Sequence, residues 1–224
     1  DSTIKVKDRE AHSSWTDTQV ERSKLQNINL PSRYLSATNS IYQRELDRIG
    51  YLGIEGITGS IGLFNYAGFA TGAAAGAIDT LTAQEQYDVI SNLIVRQQSA
   101  VQNTPEYMAN RVDMPVRVMN VIKATILDTA AGTKSVLLAL KDNHPEIVFS
   151  ATSRAESTAN GGDLAASVTI AYSNNDEGMK FRLPLPLQFS PITEDGFKFK
   201  MDSKYSVAGL DVLVDLVAET ITGL

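Results

Sequence analysis

The sequence has no cysteine, which excludes disulfide scaffolds, thiolate metal sites and cysteine nucleophiles. Histidine is nearly as scarce: His12 and His144 are the only two, and they stand too far apart in the chain for a His-x-x-x-His metal pair. Basic residues are outnumbered, with 20 Lys and Arg against 26 Asp and Glu for a formal net charge of -6. They are also scattered, and a dedicated nucleic-acid reader needs them clustered. A container whose wall merely tolerates nucleic acid stays open. The longest small and apolar run, Ala67 to Ile78, is too short and too glycine-rich to span a bilayer, and no signal peptide is visible. The reading is of a soluble protein.

What is present suits a packed fold. At 224 residues, 43% hydrophobic and 21% charged, the chain is long enough for one large or two modest domains. It begins at Asp1, and Ile4-Lys5-Val6-Lys7 reads as the return half of a hairpin, so an upstream segment is expected to be missing.

Trp15 to Val20 carries a helix start: Thr16 as N-cap and Gln19 to complete a capping box, with Trp15 and Val20 spaced for a hydrophobic staple. A short helix to about Asn27 follows. Pro31 suits the first turn of a second, long helix in which Tyr34, Leu35, Thr38, Ile41, Tyr42, Leu46, Ile49 and Leu52 recur at three and four spacing, stopped by Gly50 and Gly53. The glycines at 50, 53, 56, 59 and 62 predict a loop of tight turns, continued by the small residues to Ile78. A second capping box, Thr82 to Glu85, opens a helix carrying Tyr87, Ile90, Leu93, Ile94 and Val101, ending before Pro105.

Shorter elements follow: a strand at 116–121, a helix near 134–141, and strands at 147–153 and 167–172 with a turn at Asn160-Gly161-Gly162. Phe181, Leu183, Leu185, Leu187 and Phe189 alternate with Arg182, Pro184, Pro186 and Gln188. Prolines in one register predict a strand paired on a single side. Thr193-Glu194-Asp195-Gly196 turns it back through Phe197 to Met201 as a long hairpin, and 210–217 reads as a last strand.

No chemistry emerges with force. Asp142-Asn143-His144-Pro145-Glu146 gathers ligand types but reads better as a helix-ending loop. Gly132-Thr133-Lys134-Ser135 invites a phosphate-loop reading, yet Thr133 and Asp128 stand where the pattern needs glycine. Gly59-Ser60-Ile61-Gly62 lacks the Gly-x-Ser-x-Gly of a nucleophile elbow. Glu45 and Asp47 are expected on the solvated side of the long helix, with Glu55 beyond it, and Asp211 and Asp215 among apolar residues on a strand. Lys198 and Lys200 form a basic stripe that either protects an edge or meets a neighbouring subunit. No catalytic, metal or cofactor-binding residue is assigned.

The order of these elements, with Gly62-Leu63-Phe64-Asn65-Tyr66 after the long helix, Lys123-Ala124-Thr125-Ile126-Leu127 after the next, and the closing stretches Tyr172 to Leu187 and Tyr205 to Val212, resembles tailed-bacteriophage major capsid proteins over nearly the whole chain. Phe64 replaces the second leucine of that family's Gly-Leu-Leu-Asn-like motif. The resemblance implies an α+β, HK-97-type fold with a long spine helix, a peripheral (P) domain and an axial (A) domain, the N-terminal arm and most of the extended loop being absent. Implied boundaries are 1–12 for an extended-loop remnant, 13–66 for the first part of the P domain, 67–178 for the A domain, 179–205 for the P-domain hairpin and 206–224 for a return to the A domain.

The implied function is structural, in a phage or prophage virion: self-assembly into pentamers and hexamers of an icosahedral shell around double-stranded DNA, without an active site, cofactor or membrane. Scaffold, portal and decoration proteins are implied partners, and the host cytoplasm the place of assembly. Lys5 and Lys7 lie in the region where some members cross-link, but no motif carries that role across. The glycine-rich 53–76 segment is expected to give play between ring types. An encapsulin-like nanocompartment shell is the alternative, and a small hydrolase or phosphate-binding enzyme using Gly132 to Ser135 or His144 a second.

Overall fold

The structure is a computed structural model that describes residues 5–57, 59–74, 76–102, 104–129 and 132–224. In chain order its elements are β1 (Lys7–Thr16), α1 (Asp17–Leu25), α2 (Leu30–Leu52), β2 (Ala70–Ala73), α3 (Ala83–Ala100), β3 (Arg111–Pro115), α4 (Val116–Ala124), β4 (Ile126–Thr129), β5 (Gly132–Ser135), α5 (Val136–Asn143), β6 (Val148–Thr152), β7 (Val168–Tyr172), β8 (Met179–Arg182), β9 (Leu185–Phe189), β10 (Thr193–Asp195), β11 (Lys198–Val207), β12 (Gly209–Val212) and β13 (Ala218–Thr222). The chain divides into two compact units, Asp1–Leu63 with Phe181–Asp211 and Phe64–Lys180 with Val212–Leu224.

The first unit is a twisted sheet carrying a long helix. β11 is its spine: β1 pairs with it antiparallel along its whole length, from Lys7↔Val207 to Thr16↔Lys198, while β9 and β10 share the other edge. Period-two alternation then decides the faces. Met201, Ser203, Tyr205 and Val207 are buried, and the residues between them are mostly exposed. Tyr42 of α2 meets Tyr205 edge-on at 4.8 Å, and Ile49 packs with Ile54 and Val207. β1 runs unbroken through Lys7–His12, the residues that the sequence assigned to an extended-loop remnant.

α1 starts where the capping box requires: the Thr16 hydroxyl accepts from Gln19 N and the Gln19 side chain from Thr16 N. α2 has Asn29 as its N-cap, Pro31 in the first turn, and passes through Gly50 to end at Gly53, whose φ is 77°. Among the predicted apolar positions, Ile41 departs: it is 64% exposed, on the flank of the stripe that buries Tyr42 and Ile49. In the loop that follows, a Cβ on Gly62 would lie 2.3 Å from Gly53 N and 2.5 Å from Leu52 N, so this glycine is required by close backbone approach.

The second unit lays helices on a five-stranded mixed sheet of order β2-β13-β7-β3-β6. β2 runs parallel to β13 and β3 parallel to β6, and the other pairs are antiparallel. Ile90, Leu93 and Ile94 of α3, Val118 and Ile122 of α4, and Val136 and Leu140 of α5 are fully buried with Val112 and Met114 of β3. Each contributes on the order of 1.5–3 kcal/mol of apolar burial. α3 opens on the second capping box, with Thr82 N donating to Glu85 Oε2 at 2.7 Å.

Four local expectations are corrected here. The 116–121 segment, read as a strand from its alternating valines, is helix α4. Pro115 ends the preceding strand, and Val118, Met119 and Ile122 are buried at helical spacing. Lys134 lies on β5, in a hairpin with β4, and the helix starts only at Val136, capped by Ser135. The small-residue tract contains a strand, β2, whose Thr71 hydroxyl meets that of Thr220 at 2.9 Å. The segment 210–217 divides into β12 and a 3-10 turn at Asp215–Val217, with β13 beyond.

Candidate functional site

The enzymatic candidates do not form a site. His144 ends α5, and its Nε2 lies 3.0 Å from Ser91 Oγ, a nucleophile–base contact that the sequence did not suggest because Ser91 sits in mid-helix. The third limb fails: Glu146 Oε1 is 3.9 Å from Nδ1, beyond hydrogen-bond reach. Gly132 to Ser135 is a hairpin strand whose Lys134 is ion-paired with Asp142, so no loop cradles a phosphate there. Ser60 Oγ accepts from Ile54 N at 2.7 Å and thereby fixes the loop rather than presenting a nucleophile. Among the described residues no three His, Asp or Glu gather as a metal site.

The carboxylates serve the scaffold. Glu45 is not on a solvated face: Arg9 Nη2 lies 2.6 Å from its Oε1, and the Tyr205 hydroxyl donates to its Oε2, tying β1 and β11 to the long helix. Burial, then the hydrogen bond to Glu45, raises the Tyr205 pKa. Glu55 pairs with Arg48 at 2.7 Å, which holds its carboxyl below the usual range. Arg182 contacts Asp211 Oδ2 through Nε at 2.8 Å and Nη2 at 2.6 Å. Asp215 stands in the 3-10 turn rather than on a strand and accepts from the Tyr66 hydroxyl. Of the basic stripe, Lys200 pairs with Asp195 at 2.7 Å.

Buried polar groups that sequence reasoning missed organise the second unit. Gln97, fully buried on α3, donates to Tyr107 O at 2.8 Å and Leu216 O at 3.1 Å and accepts from Ala109 N at 2.7 Å. Asp113 in mid-sheet accepts from the hydroxyls of Ser150 and Tyr172, and burial, then Asp113, raises the Tyr172 pKa. Glu156 supplies what Pro115 cannot: Pro115 makes no side-chain cap for α4, and Glu156 Oε1 accepts from Arg117 N at 2.9 Å.

Two large apolar side chains are exposed at the ends of elements in the first unit. Leu25, the last residue of α1, is 88% exposed, and Phe197, at the hairpin turn, 82%. Ile41 on α2 and Ile192 beside the hairpin tip are also exposed. A groove of about 460 Å³ runs along the α1–α2 corner, lined by Val20, Ser23, Lys24, Asn27 to Leu30 and Pro31. The described residues include no helix long and apolar enough to cross a membrane.

A family model described as major capsid protein matches residues 2–218. The solved capsid of Myoviridae phage XM1 superposes with a TM-score of 0.85 at 38% identity, covering 99% of this chain and 74% of that one. The capsid of a native GTA particle gives a TM-score of 0.66 at 12% identity over 97% of this chain and 72% of that one. The holo-SrpI encapsulin complex of Synechococcus elongatus PCC 7942 gives 0.58 at 10% identity over 98% and 74%. These last two show the fold alone. Comparison with curated proteins gives no match.

Proposed function

The chain belongs to the major capsid protein family, and from that membership we propose that it assembles into pentamers and hexamers that close as an icosahedral shell around double-stranded DNA. It is a structural subunit of a capsid, located in the virion, and not an enzyme. The observation that carries the reading is the 38% identity to the phage XM1 capsid, sustained over 99% of this chain. The encapsulin likeness, at 10%, is one of fold.

The same surface must serve rings of two sizes, so the contacts are heterologous and closure is set by the rotation between neighbours. The unit built on β11 and α2 takes the P-domain role, a stiff element in which Glu45 locks helix to sheet. The unit built on the five-stranded sheet takes the A-domain role at the ring centres. DNA is held by confinement: at net charge -6 the chain has no cationic surplus for phosphate neutralisation. Assembly in the host cytoplasm, with scaffold, portal and decoration proteins, belongs to this reading.

Symmetry averaging of particles purified by sedimentation tests it. Five- and six-subunit rings, with nuclease-protected DNA of no fixed sequence in particles from infected cells, are expected. Open tubes built from one ring type would contradict the two-ring reading.

A further inference from the structure

The first strand of the second unit is held by its backbone and by one ion pair. We propose that β2 is a releasable strap, gated by Arg96 and Glu219, that lifts from β13 while the rest of the five-stranded sheet stays closed. Its residues, Ala70-Thr71-Gly72-Ala73, are small; three of them are exposed and Gly72 is half-buried, so little apolar area holds the strand down. It is the four-residue edge of the order β2-β13-β7-β3-β6. What ties it is the parallel ladder to Glu219–Thr222, continued by Ala74 N donating to Thr222 O at 3.0 Å, and the contact of the Thr71 and Thr220 hydroxyls. β13, by contrast, is buried from Ala218 to Ile221 and pairs with β7 along its other edge. A step in burial of this kind between neighbouring strands is where local opening separates from global unfolding.

The strap has an anchor on each side. Phe69 is buried and meets the Tyr66 ring edge-on at 4.8 Å, and Ile78 is fully buried, its carbonyl accepting from Gln86 Nε2 at 2.9 Å.

The gate crosses the strand from above. Arg96 of α3 places Nε 2.9 Å from Glu219 Oε1, and its guanidinium lies over β2: a Cβ on Gly72 would come 2.9 Å from Nη2 and 3.2 Å from Nη1. Glycine at 72 is what lets the arginine close over the strand. The two partners differ in burial, since Glu219 is buried and Arg96 is half-exposed. Of the elements packed against β13, α3 faces Glu219 with Arg96, β2 carries no ionisable residue, and β7 carries Tyr172, which binds Asp113 on the opposite face of the sheet. Lifting β2, whose Ala70 is in register with Glu219, opens that carboxyl to water. Burial raises the Glu219 pKa, and Arg96 offsets only part of the rise. The docked value being the higher and the released value returning toward the ordinary 4.5, the released strap gains as pH rises through the docked value, and the docked strap gains as pH falls.

Hydrogen exchange read by mass spectrometry on the purified protein tests the strap, which belongs to the single chain and stands or falls independently of shell formation. With intrinsic rates removed, 70–74 should exchange roughly a hundredfold faster than 168–172 of β7, and the opening constant of 70–74 should rise between about pH 5 and about pH 7. Arg96→Met leaves Glu219 buried without its cation and should speed 70–74 roughly tenfold with β7 unchanged; adding Glu219→Gln removes the stranded charge and should bring 70–74 back to within about threefold of native. Equal protection of 70–74 and β7 in the native protein would overturn the proposal, as would an Arg96→Met variant that loosens both segments alike or a double variant no slower than the single one. Should Arg96→Met fail to fold, Glu219→Gln alone decides the gate: it abolishes the pH dependence of opening if the proposal holds, and a dependence like the native one overturns it.

Discussion

The Trp15 indole lies flat on the Tyr34 ring, with centroids 5.3 Å apart and planes 12° from parallel. Trp15 closes β1 and Tyr34 stands near the start of α2, so the stack pins the corner from which α1 projects. Phe199 of β11 lies on the same indole at 6.3 Å, and Trp15 is 3% exposed. Removing the ring leaves a cavity where two elements meet, and Trp15→Ala should cost roughly 3–5 kcal/mol. Trp15→Phe, which keeps an aromatic face, should cost less than half as much. Urea unfolding measures both. Trp15 is the only tryptophan, so its fluorescence reports the native protein's first unit directly.

Gln97→Leu preserves the shape of the side chain but abandons Ala109 N and the carbonyls of Tyr107 and Leu216. An unmade buried hydrogen bond costs about 1–3 kcal/mol, so a loss of at least about 3 kcal/mol is expected in chemical denaturation. A value under 1 kcal/mol would mean that these groups find other partners.

Glu156→Ala uncaps α4. Losses of about 0.5–2 kcal/mol are usual for a cap, and amide exchange at Arg117 should quicken with it. Glu156→Gln retains an acceptor and should keep most of the protection.

The glycine tract separates two kinds of requirement. Gly59 has φ +82° with open space around its would-be Cβ, so Gly59→Ala meets only the left-handed backbone cost of roughly 1–2 kcal/mol. In Gly62→Ala the new atom collides with backbone at Gly53 and Leu52, and Tm and soluble yield should fall far further. Equal effects in the two variants would contradict the close approach. The play between ring types expected of 53–76 is accordingly best sought at Gly56 and Gly59, whose surroundings are open.

His12 and Asp202 face each other across the β1–β11 ladder, with Nδ1 2.8 Å from Oδ1. The hydrogen bond and then the charge of Asp202, aided by Glu10, raise the His12 pKa above its ordinary 6.5. The folded value being the higher, the stabilisation is complete below 6.5 and is lost as pH rises through the folded midpoint. An NMR titration should place that midpoint above 6.5, and Asp202→Asn should return it toward 6.5. A native midpoint at or below 6.5 contradicts the pairing.

The helix starts were legible because capping is local: Thr16 with Gln19 and Thr82 with Glu85 lie within one turn. The long hairpin was legible from its alternation in outline only: Thr193–Asp195, read as its turn, is strand β10, and the single strand read over Phe181–Phe189 breaks before Leu185 into β8, which pairs with β12, and β9, which pairs with β11. Misreadings arose where two periods coincide. Val116, Val118 and Val121 suit a strand nearly as well as a helix, and only the packing of Val118, Met119 and Ile122 decides. Buried polar side chains were invisible for a related reason. Nothing in the sequence marks Gln97, Asp113 and Glu156 as buried, because their partners are backbone or hydroxyl groups outside their own elements. Glu45 was misplaced for the same cause: β1 and β11 bring Arg9 and Tyr205 onto a helix face that looks open in isolation.

Negative-stain electron microscopy of the concentrated protein tests the central claim most directly. A capsid subunit should yield closed shells of uniform size, and a field of discrete monomers at the same concentration would contradict it.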